Sequence, residues 1–253
     1  MKISSNIEEV IASKKAAIRF LNNTLEFYIT DSKNQNLKKV QLLSKWLTEF
    51  SNYIRFEEKF EASKNIAYKR GDIIKANFGF NVGSELGGVH YAIVIDNNNK
   101  HNADTVTVIP LSSYKPEKAI YERDLFIGSE FYNLLYSRTK KMLLEAKAEA
   151  LKASQMIEIL IKHADSDPEV EKLIPQLKAQ KAEADKKTTF GKKCFNELSM
   201  MKNGSIVKLE QIRTISKMRI LDPKKTHDVL YGIHLSDTTM DKINEKLKEL
   251  FCH

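Results

Sequence analysis

The chain has few of the residues and none of the motifs that would make its chemistry obvious. Of 253 residues only two are cysteine, Cys194 and Cys252, with no CxxC or Cys/His spacing around them. A disulfide framework and a structural zinc site are therefore disfavoured, and both residues are read as free thiols. The apolar stretches are too short and too charged to span a bilayer, so no membrane segment is expected. The opening Met1-Lys2-Ile3-Ser4-Ser5-Asn6 lacks an apolar h-region and a small-residue cleavage site, which predicts a protein that stays in the cytoplasm. Asp222, Asp228 and Asp237 are dispersed, the histidines form no HxxxH pair, and neither GxxxxGK[ST] nor GxGxxG occurs. Metal, nucleotide and dinucleotide chemistry thus lack a sequence signal, and no cofactor is implied. Charge is uneven: the net value of +8 creates an attractive potential for polyanions, although exposed lysine serves solubility equally well.

Hydrophobic spacing organises the chain. Ile7, Val10, Ile11, Ile18, Leu21, Leu25 and Tyr28 recur at helical intervals, and after the break at Asp31-Ser32-Lys33-Asn34 the residues Leu37, Val40, Leu43, Leu47, Phe50 and Ile54 resume them. A helical hairpin is predicted, with the aromatic stripe of Trp46, Phe50, Tyr53 and Phe56 in its core. From Tyr68 the pattern turns to strands: Ile73 to Phe78, Tyr91 to Ile95, and Thr105 to Ile109, the last stopping or bending at Pro110. Strand character fades after Ile127. Leu143, Ala146, Ala150, Ala153, Ile157, Leu160 and Ala164 then keep heptad spacing, and a second helix is expected with Asp167 as its N-cap. Val170, Leu173 and Leu177 continue the seam, and Pro175 predicts a kink. Ser205 to Glu210 reads as a strand, a short strand is possible near Met218 to Ile220, and a helix from Ser236-Asp237 to Phe251 closes the chain.

Four stretches in fixed order carry a resemblance. They are Arg70-Gly71-Asp72-Ile73 with Gly83-Ser84-Glu85-Leu86-Gly87-Gly88-Val89-His90-Tyr91, then Val106 to Ser113, then Lys208-Leu209-Glu210-Gln211-Ile212-Arg213-Thr214-Ile215, and the helix after Leu235-Ser236-Asp237. Together they resemble the MazF/PemK family of toxin-antitoxin endoribonucleases. The resemblance implies an α+β fold with a small SH3-like β barrel, related also to the gyrase-directed toxins, carrying a C-terminal helix. To this are added an N-terminal helical hairpin and an inserted antiparallel coiled-coil hairpin. The expected division is 1–66 for the extension, 67–133 with 203–253 for the barrel, and 134–202 for the insertion. The resemblance further implies a homodimer that binds single-stranded RNA (mRNA), is neutralised by a cognate antitoxin, and cuts without metal through the ribose 2′-OH.

Attack by a 2′-OH needs a proton acceptor, a donor for the leaving 5′ oxygen, and hydrogen bonds to the phosphate. His90 suits proton transfer and stands where the best-known members place arginine; its plain alternative is a histidine that merely starts a strand. Ser112 keeps the hydroxyl that many members supply as threonine, or it caps a strand end. Glu210 occupies the place of a carboxylate that some members use, and Arg213 offers a planar fork for phosphate; alternatively the two form a structural ion pair. The catalytic set is thus His90, Ser112, Glu210 and Arg213. RNA contacts are expected from Ser84, Glu85, Gly87, Gly88, Ser113, Lys208 and Gln211, with Lys208 assigned to the face of Glu210 by strand alternation. A second reading is a non-catalytic member of the fold that binds nucleic acid or poisons a protein target.

Overall fold

The computed structural model describes residues 6–30, 36–163 and 168–252 and, of these, the side chains of all but residues 163 and 168–172. The expected break at Asp31 to Asn34, the heptad position Ala164, the N-cap Asp167 and the side chain of Val170 lie outside that description. The chain divides into two units, Met1–Phe60 with Gly79–Val82 and Glu61–Phe78 with Gly83–His253.

In the first unit α1 (Ile7–Thr30) and α2 (Leu37–Phe56) occupy the two periodic stretches. They touch along one side, where Lys39 Nζ lies 3.1 Å from Tyr28 Oη and 4.3 Å from the ring centroid. The aromatic stripe does not become a core: Trp46 stands 5.7 Å from Phe50 and 6.1 Å from Tyr53, but Phe50 and Phe56 are exposed. A lone helix pair has a single shared face, so apolar residues off that face stay in solvent. Only Val40 is buried in α2, and no residue is in α1.

The second unit is built on seven antiparallel strands: β1 (Ile73–Asn77), β2 (Val89–Val94), β3 (Thr105–Ser113), β4 (Leu125–Phe126), β5 (Ser205–Val207), β6 (Arg213–Ser216) and β7 (Ile220–Asp222). Their order is β4-β5-β3-β2-β1-β7, with β6 also on β3. β3 does not stop at Pro110. Its first half pairs with β6 through Val108↔Arg213, and beyond Pro110 it pairs with β5 through Leu111↔Val207. Proline marks the residue at which β3 changes partners. The strand expected over Ser205 to Glu210 ends at Val207, and Leu209–Gln211 forms a 3-10 turn.

Alternation along the strands feeds two cores. Ile73, Ile93, Ile109 and Leu111 join Phe131, Leu135, Leu198, Met240 and Ile243 from helices. Their neighbours Ile74, Ala76, Ala92, Val94, Val106 and Val108 join Ile215, Ile220, Tyr68 and Phe78. The helices of the first core are α3 (Glu130–His163), α4 (Pro168–Met200) and α5 (Asp237–Phe251). α5 begins as expected, with Ser236 Oγ accepting from the Thr239 amide at 3.3 Å.

α3 and α4 pack as a long pair. On α3 the heptad positions Ala146 and Ala153 are buried, and α4 answers with Leu177, Ala184, Gly191 and Leu198 at seven-residue intervals. A Cβ on Gly191 would fall 2.2 Å from Leu143 Cδ2, so glycine sets the closeness of the pair there. α4 is continuous through Pro175. The base of the pair is part of the first core, through Phe131, Leu135 and Leu198.

Candidate active site

The change of partner along β3 opens a cleft in the sheet. β2 stays paired with β1 down to Asn77↔Val89, whereas its pairing with β3 ends at Ala92↔Pro110. Residues 89–91 on one lip and 111–113 on the other flank a cavity of about 210 Å³, with Phe131, Met200, Met201, Lys202, Gly204 and Ser205 completing the wall. His90, Ser112 and Ser113 all line it. His90 Nδ1 spans the split to the Leu111 carbonyl at 3.2 Å. A carbonyl only accepts, so that nitrogen is assigned the proton, and in the neutral imidazole Nε2 then has the lone pair.

Phe78 links His90 to Arg213. Its buried ring lies 6.5 Å from the imidazole, edge-on, and the Arg213 guanidinium sits 5.4 Å from its centroid. Arg213 also donates to Gln211 Oε1 at 3.2 Å, and the same oxygen accepts from the Leu86 amide at 3.0 Å. Gln211 thereby ties the loop of Ser84, Glu85, Gly87 and Gly88 to the start of β6. Gly88 has φ +84, a conformation that favours glycine, and its carbonyl accepts from the Phe78 amide at 2.8 Å. Ser84 and Glu85 are exposed on this loop.

Glu210 and Lys208 turn elsewhere. Glu210 pairs with Arg123 at 3.5 Å and not with Arg213, and it lines a separate cavity of about 700 Å³ with Arg70, Asn97, Asn244, Leu247 and Phe251. Lys208 binds Asp124 at 2.6 Å and stands 5.6 Å from the Tyr121 ring centroid. Since the strand ends at Val207, alternation does not place Lys208 and Glu210 on one face.

Lys75 and Tyr91 also line the cavity, although the sequence reading gives neither a role. They are register partners on β1 and β2, and both reach Glu197 of α4: Lys75 Nζ at 2.5 Å, and Tyr91 through a hydroxyl that donates to the carboxylate. Burial, followed by the neighbouring Glu197, pushes the Tyr91 hydroxyl well above the usual phenol range, so it remains a donor. A lysine inside the apolar run Ile73 to Ala76 is a signal readable in sequence, whereas its distant partner is not. Burial likewise raises the thiol of Cys194, and Cys252 is exposed; both are free. Among the described residues no three His, Cys, Asp or Glu side chains gather as a metal-ligand set, and no helix is long and apolar enough to cross a membrane.

Comparison with known proteins bears on this region. Residues 69–161 match the family model of the PemK-like, MazF-like toxin of type II toxin-antitoxin system. Among curated proteins, none matches the chain. The matched residues run from the turn before β1 through β4 and into α3, and so include both lips of the cleft. Residues 69–161 are a PemK/MazF-like toxin domain, to which the chain adds N-terminal helices.

Proposed function

We propose that this chain is a sequence-selective endoribonuclease toxin that cuts single-stranded RNA without a metal ion. The observation that carries the reading is the meeting of His90 and Ser112 in the cleft between β2 and β3, with Arg213 one aromatic ring away. Members of the matched family are typically endoribonucleases. The cavity offers imidazole, hydroxyl and ammonium groups, a donor set suited to a phosphodiester.

In the proposed reaction the ribose 2′ oxygen attacks the adjacent phosphorus and its proton passes to His90 Nε2. The P–O5′ bond breaks and the 5′ oxygen takes a proton from water, His90 then returning its own to solvent, leaving a 2′,3′-cyclic phosphate and a 5′-OH. Ser112 hydrogen-bonds the phosphate or the 2′-OH, and Arg213 offsets the charge that builds on the phosphate oxygens. Gln211, Ser113 and the loop of Ser84, Glu85, Gly87 and Gly88 hold the strand beside the cleft. Glu210 and Lys208, turned to Arg123 and Asp124, support the neighbouring loop in this scheme.

The second core, drawn from β1, β2, β3, β6 and β7, favours a closed SH3-like barrel, because the one-turn 3-10 segment Lys217–Arg219 joins β6 on β3 to β7 on β1. A cognate antitoxin, a homodimer and an intracellular site of action belong to the same reading. The placement of Glu210 in a different cavity favours one rival, a non-catalytic binding member of the fold. Substrate chemistry separates the two. RNA bearing a single 2′-deoxynucleotide 5′ to a mapped cut resists cleavage there if the 2′-OH is the nucleophile. Undiminished cutting at that position overturns the mechanism.

A further inference from the structure

Ladder register places three side chains in a row across one face of the sheet at the cleft. Ser112 pairs with Ile206, and Ile206 pairs with Phe126. Residues directly opposite one another in a ladder share a face, so Ser112, Ile206 and Phe126 lie side by side on β3, β5 and β4. His90 stands at the near end of this row, across the split from Ser112. Neighbouring strands are about 4.8 Å apart, which puts Phe126 roughly 10 Å from Ser112. Tyr114, just past the end of β3, meets the Phe126 ring at 4.5 Å between centroids.

The pair is fixed at its base by Gly204. The Tyr114 amide donates to the Gly204 carbonyl at 3.0 Å, and a Cβ on Gly204 would lie 3.0 Å from Tyr114 Cβ and 3.3 Å from Phe126 Cε2. Gly204 also lines the His90 and Ser112 cavity, so the two features are continuous. Phe126 nonetheless remains 42% exposed. A large ring held from below, open above, and joined edge to edge with a phosphate-binding cleft has the form of a platform for a flat aromatic ligand.

We infer that the Tyr114 and Phe126 pair is a base-stacking subsite, which receives an unpaired nucleobase flanking the phosphate held at His90 and Ser112. This rests on the proposed ribonuclease reading and extends it to how the strand is gripped. Stacking on an aromatic face tolerates any base, so the subsite contributes affinity and register while the loops supply selectivity.

The test uses the full-length protein and a pool of short random-sequence single-stranded RNAs carrying 2′-O-methyl groups, which bind without being cut. Phe126→Leu keeps an apolar side chain and removes the ring; affinity should fall roughly 5- to 150-fold. Phe126→Tyr and Phe126→Trp should bind as the wild type does. A second readout needs no variant: 2-aminopurine incorporated in the pool should lose fluorescence on binding as it stacks. Wild-type affinity in Phe126→Leu, or unchanged 2-aminopurine emission on binding, overturns the subsite. If Phe126→Leu binds normally while the wild type still cuts unmodified RNA, the ribonuclease reading survives alone. Failure of the wild type to bind the pool overturns both.

Discussion

The sequence resemblance sets His90 at the place of an arginine in the best-known toxins of this type, and on that reading the exchange changes what the cleft can do. Guanidinium supplies charge and hydrogen bonds but holds its proton, whereas an imidazole whose Nδ1 is committed to the Leu111 carbonyl leaves Nε2 to accept one. His90→Ala should therefore lower the cleavage rate by about 10²–10⁴-fold, the usual loss of a positioned acid-base group. Arg213→Ala should also slow cleavage, by removing charge beside the Phe78 ring. Both variants should retain the wild-type circular dichroism spectrum, since each residue is only half-buried. A His90→Ala enzyme that cuts at the wild-type rate removes His90 from the mechanism. At this scale the sequence was informative where a motif kept its spacing, as with His90 and Ser112. It misled over the shared face of Lys208 and Glu210, because alternation was extended past Val207 into a 3-10 turn, where Lys208 pairs with Asp124 and Glu210 with Arg123.

The elements show the same division between local and distant information. Helical and strand periods marked α1, α2, α3, α5 and the first three strands, since each carries a regular apolar spacing of its own. β6 escaped because only Ile215 of its four residues is buried, and its place comes from β3, more than a hundred residues earlier. The coiled-coil seam was legible, but its attachment was not. Leu198 continues the seven-residue spacing of Leu177, yet together with Leu135 it fills the core beneath the sheet, and Glu197 reaches Lys75 in the cleft. Replacing 134–198 by a short Gly/Ser linker therefore removes two core leucines, each worth about 2–5 kcal/mol by analogy with truncation to alanine, out of a typical total of about 5–15 kcal/mol. That variant should fail to fold. Replacing only 151–180 keeps Leu143 against Gly191 and the 2.8 Å pair of Lys187 with Glu149, and costs little beyond loop closure. It should melt as a folded protein and cut RNA near the wild-type rate. Loss of folding in the shorter deletion would show that the distal hairpin stabilises the sheet.

As a whole, the molecule carries N-terminal helices beside a toxin domain over residues 69–161. In the proposed function the net charge of +8 draws polyanions from a distance, while the cleft and the His90 to Phe126 row are to decide where a strand is held. Charge alone is screened by salt and carries no chemistry, so binding of RNA is a weaker test than the bond that is broken. The decisive measurement is incubation of the purified protein with a long single-stranded RNA in excess EDTA, followed by mapping both new ends at each cut. Cleavage at a restricted set of sites, leaving 5′-OH and 2′,3′-cyclic phosphate ends, is the predicted result. Cutting that appears only when a divalent ion is added, or that leaves 3′-OH ends, would contradict it.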